Sequence, residues 1–227
     1  MSIGRAAVKT PYFCFLDDDD ELLPGSLERR MEVLRNSPDC DVAVSNGWRE
    51  VDGRREAMRT DMNGVAALPL ETLLKQNWLA SCSAAYRSAS IGAEYFEQLH
   101  GFAEWTWLGY RLCLTGKKFG VVTEHDYVIH DTPQSLSKDG KNSRAYVELF
   151  KRMLSQQPPK AARRRIRAKL GATYHDLSVE AIAAGRLSEA TRFHFQSLGL
   201  PDGLQYMLYA RRILVAWFRR LQLRRRT

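Results

Sequence analysis

Apolar positions in the first half of the chain come in short bursts separated by polar turns. Pro11 to Leu16 is a compact apolar run that stops at Asp17-Asp18-Asp19-Asp20, the pattern of a buried strand whose end opens into a polar site. Pro24 suits a first helical position, and Leu27, Met31 and Leu34 recur at i, i+4 and i+7 before Asn36-Ser37-Pro38 closes the helix. Asp41 to Trp48 alternates with Val42 and Val44 on one face, and Asp52-Gly53 supplies the turn to a polar return segment, which predicts a strand pair. Pro69 to Asn77 reads as a short helix, Ala80 to Tyr86 as a strand of small residues, and Trp105 to Thr115 as a helix ended by Gly116. Phe119 to Thr123 and Tyr127 to His130 read as further strand pieces. Short strands mixed with helices predict an α/β domain over residues 1–142.

The second half has a different rhythm. Thr132 to Asn142, rich in Ser, Gly, Pro and Lys, reads as a loop or lid. Ala145 to Leu154 starts a helical region that continues past Pro158-Pro159, and nothing after Ala161 looks like a strand. Leu177 to Ala184, Gly185 and Leu187 to Leu198 predict a helical hairpin closed by Pro201, so residues 143–227 form an all-helical region. In the last helix Tyr206, Ala210, Ile213, Leu214, Trp217 and Leu221 share one face at 100° per residue, with Arg211, Arg212 and Arg219 on another. Two readings stay open: a helix lying in a membrane interface with its apolar stripe inserted, or one packed on its own domain with a solvated arginine end.

Composition narrows the classes. With 227 residues, 44% hydrophobic and 26% charged, the chain belongs with globular proteins. No window reaches the roughly 18–20 uninterrupted apolar residues of a bilayer-spanning helix, because Arg211 and Arg212 break the stretch Leu204 to Phe218. The short apolar stretch Tyr12 to Leu16 is too little for a secretory signal, which predicts a cytoplasmic chain. Cys14, Cys40, Cys82 and Cys113 stand far apart with no CxxC pair, so they read as buried hydrophobes or free thiols. The net charge of +8 is uneven: residues 160–169 hold six basic and no acidic side chains, and residues 204–227 hold seven arginines and no carboxylate. Such a tail implies an anionic partner, and an anionic membrane surface met by residues 204–227 would place the chain at the inner face of the plasma membrane. No recognised nucleic-acid module accompanies the basic runs, which argues against nucleic acid.

The acidic run is the strongest candidate for chemistry. Four adjacent carboxylates after a buried strand repel one another, and a hard divalent ion such as Mg²⁺ or Mn²⁺ would relieve the repulsion while leaving room for substrate phosphates. On a strand Asp17 and Asp19 would project to the same side, as a shared ion requires. An acidic loop capping the following helix explains the same residues without a metal.

Tyr12-Phe13-Cys14-Phe15-Leu16-Asp17-Asp18-Asp19-Asp20-Glu21-Leu22-Leu23-Pro24-Gly25-Ser26-Leu27 resembles the DXD segment of family 2 glycosyltransferases of the GT-A fold, including the downstream Pro and helix. Further likeness follows in order. Asp41 to Gly53 is similar to the strand pair after that segment, and Gly101-Phe102-Ala103-Glu104 with Tyr110-Arg111-Leu112 to the acidic motif and its helix. Tyr127-Val128-Ile129-His130 with Ser135-Leu136-Ser137 is similar to the closing strand and its Ser-rich loop. The likeness covers roughly residues 1–140. The family's opening βαβ half, with its nucleobase-binding Asp, has no counterpart before Ser2-Ile3-Gly4-Arg5, so the expected fold is a partial GT-A sheet-and-helix domain.

The resemblance implies an inverting glycosyltransferase that moves a sugar from a nucleotide-diphospho-sugar donor to a hydroxyl of a glycan or lipid-linked acceptor. Asp17 and Asp19 match the DXD positions as metal ligands, with Asp17 and Asp18 also on the sugar-nucleotide side. His130 matches a C-terminal His that completes the metal shell, and Glu104 matches the acidic motif as general base, although Trp105 stands where that motif usually carries its second carboxylate. Arg111 would pair with a carboxylate on its own helix or with a phosphate, and Ala80 to Tyr86 would line the acceptor cleft. The alternative function is a non-catalytic glycosyltransferase remnant that acts as a membrane-surface or protein-interaction module.

Overall fold

Val42–Val51 (β3) is the strand around which the first unit is built, and residues 42–47 are buried on both of its faces. That explains why the alternation expected of Val42 and Val44 is interrupted by the equally buried Ala43. The computed structural model describes residues 1–58, 61–97, 103–131 and 142–224. The chain divides into two units, Met1–Lys138 and Asp139–Thr227.

In the first unit, helix α1 (Ser2–Ala7) precedes β1 (Tyr12–Cys14) and β2 (Asp20–Leu22). Helix α2 (Ser26–Asn36), β3 and β4 (Arg54–Ala57) follow. Then come α3 (Met62–Ala67), α4 (Pro69–Lys75), β5 (Ala84–Arg87), α5 (Glu104–Leu114) and β6 (Phe119–His130). The sheet runs in the order β1-β5-β3-β6-β2, with β4 hairpinned onto β3. The β3–β6 pair is parallel and the others are antiparallel, which makes the sheet mixed and the class α/β. Asp52 and Gly53 both have positive φ, as a two-residue hairpin turn of the primed kind requires.

Three local expectations change. Phe119 to Thr123 and Tyr127 to His130 are one strand, whose register against β3 shifts between Ser45 and Trp48 and keeps both pieces paired. Ala80 to Tyr86 is split, because a 3₁₀ turn at Ser81–Ser83 precedes β5. Helix α2 is rotated: Ser26, Arg30 and Leu34 are its buried residues, whereas Leu27 is 43% exposed. Pro24 lies outside this helix, whose N-cap is Gly25 at φ 78°.

The second unit consists of α6 (Asn142–Ser155), α7 (Lys160–Ala183), α8 (Leu187–Leu198) and α9 (Ala210–Arg224). Pro158 and Pro159 separate α6 from α7, since proline lacks the N–H an interior helical position needs. Helix α7 packs against both α6 and α8. Gly185 at φ 71° turns the α7–α8 hairpin, and the Ser178 hydroxyl donates to the Ala190 carbonyl at 2.8 Å across it. A 3₁₀ segment, Gly203–Tyr209, leads into α9. Of the two readings open for the apolar stripe of the last helix, packing on its own unit describes most of it. Ile213 is buried, Tyr206 stacks on His175 with ring centroids 4.1 Å apart, and the Trp217 indole N–H donates to Thr191 Oγ1 at 3.1 Å. Leu214 stays 57% exposed. Among the described residues no helix is long and apolar enough to cross a membrane.

Candidate functional site

After β1 the chain leaves the sheet for residues 15–19 and re-enters it at Asp20. The Asp20 N–H donates to the Asp17 carbonyl at 3.2 Å, so the aspartates close a turn. Carboxylate oxygens of Asp17, Asp19 and Asp20 lie within 4.8 Å of one another. The turn assembles them, and the same-side strand geometry expected for Asp17 and Asp19 is absent because no strand runs there. It also recruits Asp20, which the i, i+2 spacing passes over. Asp18 is exposed and lies outside the cluster.

Asp20 is the anchored member. Ser81 Oγ donates to its Oδ2 at 3.0 Å, and the Cys82 thiol donates to it as well. Burial pushes the Asp20 carboxyl above the usual carboxylate range; those two hydrogen bonds oppose the rise, and the charges of Asp19 and Asp17 add to it. Cys82 is fully buried, and its thiol is driven up by burial first and by Asp20 second, so it donates and does not act as a nucleophile.

Behind the turn lies a buried charge network. Arg30 on α2 is 0% exposed, its Nε donates to Ser45 Oγ at 3.0 Å, and the same atom lies 3.6 Å from Asp126 Oδ2. Both terminal guanidinium nitrogens lack a hydrogen-bond partner. Arg29 Nε donates to Asp126 Oδ1 at 2.7 Å. Burial lowers the Arg30 value and raises that of Asp126, each against the attraction of the other. The Arg30 charge reaches Cys14 and Cys82, so a fixed cation lies beneath the residue that holds Asp20.

Glu104 opens α5, after Ala103 at φ 70°. It is half-buried, and burial raises its carboxyl; its own backbone N–H opposes the rise and the charge of Asp17 adds to it. The Trp105 ring packs edge-on against Phe15 with centroids 5.7 Å apart, and Phe15 also meets Phe96 at 5.1 Å. Trp105 thus seats the first turn of α5 beside the end of β1, bringing Glu104 within electrostatic reach of Asp17.

His130 is not brought to this cluster. The β2–β6 register pairs Asp20 with Ile129, so the neighbouring His130 projects to the other face of the sheet. There its Nε2 lies 3.8 Å from Glu21 Oε2 and its Nδ1 3.5 Å from Glu50 Oε1. Among the described residues Arg111 forms no ion pair with a carboxylate of its own helix. Its Nη1 donates to the carbonyls of Glu94 at 2.8 Å and Tyr95 at 3.1 Å, which ties α5 to the preceding 3₁₀ turn. Gly101, Phe102, the loop 132–141 and Ser135-Leu136-Ser137 within it lie outside the described residues.

No protein-family model matches the chain, and no curated protein matches it in sequence. The likeness to family 2 glycosyltransferases therefore stands on the quoted motifs alone.

Chemically, the site combines an all-oxygen acidic cluster with a separately held carboxyl of raised proton affinity. Among the described residues Asp17, Asp19 and Asp20 are the grouping able to hold a metal ion, and such a donor set suits a hard cation. Glu104 lies on another element, within reach of the charge of Asp17.

Proposed function

We propose that the Asp17–Asp20 turn and Glu104 form the reaction centre of a metal-assisted, inverting glycosyltransferase acting between a nucleotide-diphospho-sugar and a hydroxyl of a glycan or lipid-linked acceptor. One observation carries the reading: three carboxylates gather within 4.8 Å beside a fourth carboxyl whose proton affinity is raised by burial and by Asp17. The donor set fits Mg²⁺ or Mn²⁺, being all oxygen, partly exposed and crowded with like charge. When bound there, such an ion neutralises charge that develops on the departing diphosphate.

The chain's own residues have distinct tasks. Asp20, fixed by Ser81 and Cys82, sets the position of the cluster, while the exposed Asp17 and Asp19 extend toward solvent where a diphosphate can approach. Glu104 accepts the acceptor hydroxyl's proton as that oxygen bonds to the anomeric carbon and the bond to the diphosphate oxygen breaks, a single displacement that inverts the carbon. A raised proton affinity makes Glu104 a stronger base than an ordinary carboxylate.

The test is release of nucleoside diphosphate by the full chain from a panel of nucleotide sugars with Mn²⁺ and glycan or polyprenyl-phosphate acceptors. The expected result is manganese-dependent turnover with at least one donor, reduced about 10²-fold or more in Glu104→Gln and abolished in Asp19→Ala. Turnover that survives both substitutions, or no donor bound at millimolar concentration, overturns the reading.

A further inference from the structure

Helix α9 meets its unit along a narrow line through Ile213 and Trp217, and a second apolar face points away from it. At 100° per residue Leu214 and Phe218 fall on one outward arc, with Arg211 and Val215 at its edge and Arg219 and Arg212 beyond them. Leu214 and Phe218 are 57% and 65% exposed, and Leu208 in the preceding 3₁₀ segment is 89% exposed. Large apolar side chains left in water at this density mark a surface that meets something apolar.

Arg211 lies at the edge of that arc and Arg212, Arg219 and Arg220 follow round the helix from it, and their charge is equally unanswered. Among the described residues none of Arg211, Arg212, Arg219 and Arg220 forms an ion pair; Arg212 and Arg220 lie only over the rings of Tyr209 and Trp217, at 5.7 and 5.9 Å. These four arginines also wall a groove of about 730 Å³ whose apolar lining includes Ile182, Leu187 and Val215.

We propose that this face docks on a bilayer rich in anionic lipid, with the arginines at the phosphates and Leu208, Leu214 and Phe218 at the acyl boundary. Nucleic acid answers the charge but gains nothing by burying Phe218 and Leu214. A bilayer surface satisfies both at once. Leu214 apart, the inserted face differs from the stripe that helical periodicity alone selects, because that stripe packs on α8 through Trp217 and on His175 of α7 through Tyr206. The proposal is independent of the catalytic reading and is tested by binding alone.

The experiment is co-sedimentation of the full chain with vesicles of phosphatidylcholine, alone or with about a third phosphatidylglycerol, at low salt. Partitioning should be at least about tenfold stronger on the anionic vesicles. Arg211→Glu with Arg219→Glu should weaken it by more than about tenfold, and Leu214→Ser with Phe218→Ser, both at exposed positions, by about tenfold. Circular dichroism checks that each variant stays folded, and Leu208→Ser supplies an independent apolar probe. No binding, equal binding to both vesicles, or binding indifferent to the serine substitutions overturns the proposal. Displacement from vesicles by duplex nucleic acid with losses confined to the arginine variants overturns it in favour of a nucleic-acid surface.

Discussion

Replacing Asp126 with Asn should destabilise the first unit far more than removing Arg30, its buried cationic neighbour. Asp126 is 0% exposed, accepts from Arg29 Nε at 2.7 Å, and lies 3.6 Å from Arg30 Nε. Arg30 has one other polar contact, Ser45 Oγ at 3.0 Å, and two orphaned nitrogens. Asp126→Asn therefore leaves a guanidinium in the core with no counter-charge, which costs about 3–5 kcal/mol. Arg30→Met removes the orphaned group, keeps comparable volume, and leaves Asp126 with Arg29, so about 1 kcal/mol or less is expected. The double variant should then be more stable than Asp126→Asn alone by about 2 kcal/mol, a strongly non-additive cycle. Urea unfolding in a Trp217→Phe background reads this out, since Trp48, Trp78, Trp105 and Trp107 then supply all the indole signal from the first unit. Equal costs for the two single substitutions, or simple addition in the double, would refute the argument that burial outweighs attraction in this network.

Further outcomes follow from the same reasoning. The Glu104 carboxyl should titrate above an ordinary glutamate by carbon-detected NMR and shift down in Asp17→Asn, because part of its rise comes from the Asp17 charge; no response to Asp17→Asn would separate the two residues. In the second unit burial lowers His175 and His194 below the ordinary imidazole value of 6.5, with the His175 charge lowering His194 further and Asp176 partly opposing at His175. His194 is buried with neither ring nitrogen bonded, and His175 stacks on Tyr206 and meets Tyr209 edge-on. The unfolded chain thus takes protons first: stability should be constant above about pH 6.5 and fall as pH drops below it, and His175→Phe should flatten the slope. A melt that improves on acidification contradicts this. Gly47→Ala would drive a methyl into the Tyr127 ring in the centre of the sheet, and a loss of about 1–3 kcal/mol or more in urea unfolding is expected.

Some of this was readable from sequence because local chemistry decides it. Asp52-Gly53 can adopt two successive positive φ angles, and Gly116 at φ 72° ends α5 where it stands in the sequence. The positions that escaped are those where tertiary contact overrides pattern. Apolar spacing in α2 points to Leu27, Met31 and Leu34, and Leu34 is buried, yet the charged Arg30 is buried in preference to Leu27 and Met31, because Asp126 arrives from β6, 96 residues later in the chain. Asp20 escaped as a candidate ligand because a three-residue strand gives no periodic signal, and a turn closure joins it to Asp17. The outward face of α9 was hidden for a similar reason: two apolar arcs share that helix, and only packing selects which one is used.

The central claim is that the aspartate turn holds a divalent cation, and manganese titration followed by electron paramagnetic resonance tests it most directly. The full chain should remove free Mn²⁺ signal with one equivalent bound at submillimolar affinity, tighten when a nucleoside diphosphate is added, and lose the site in Asp17→Asn with Asp19→Asn while remaining folded. Free Mn²⁺ signal that stays undiminished at millimolar protein, or a site that persists in the double variant, would contradict the claim.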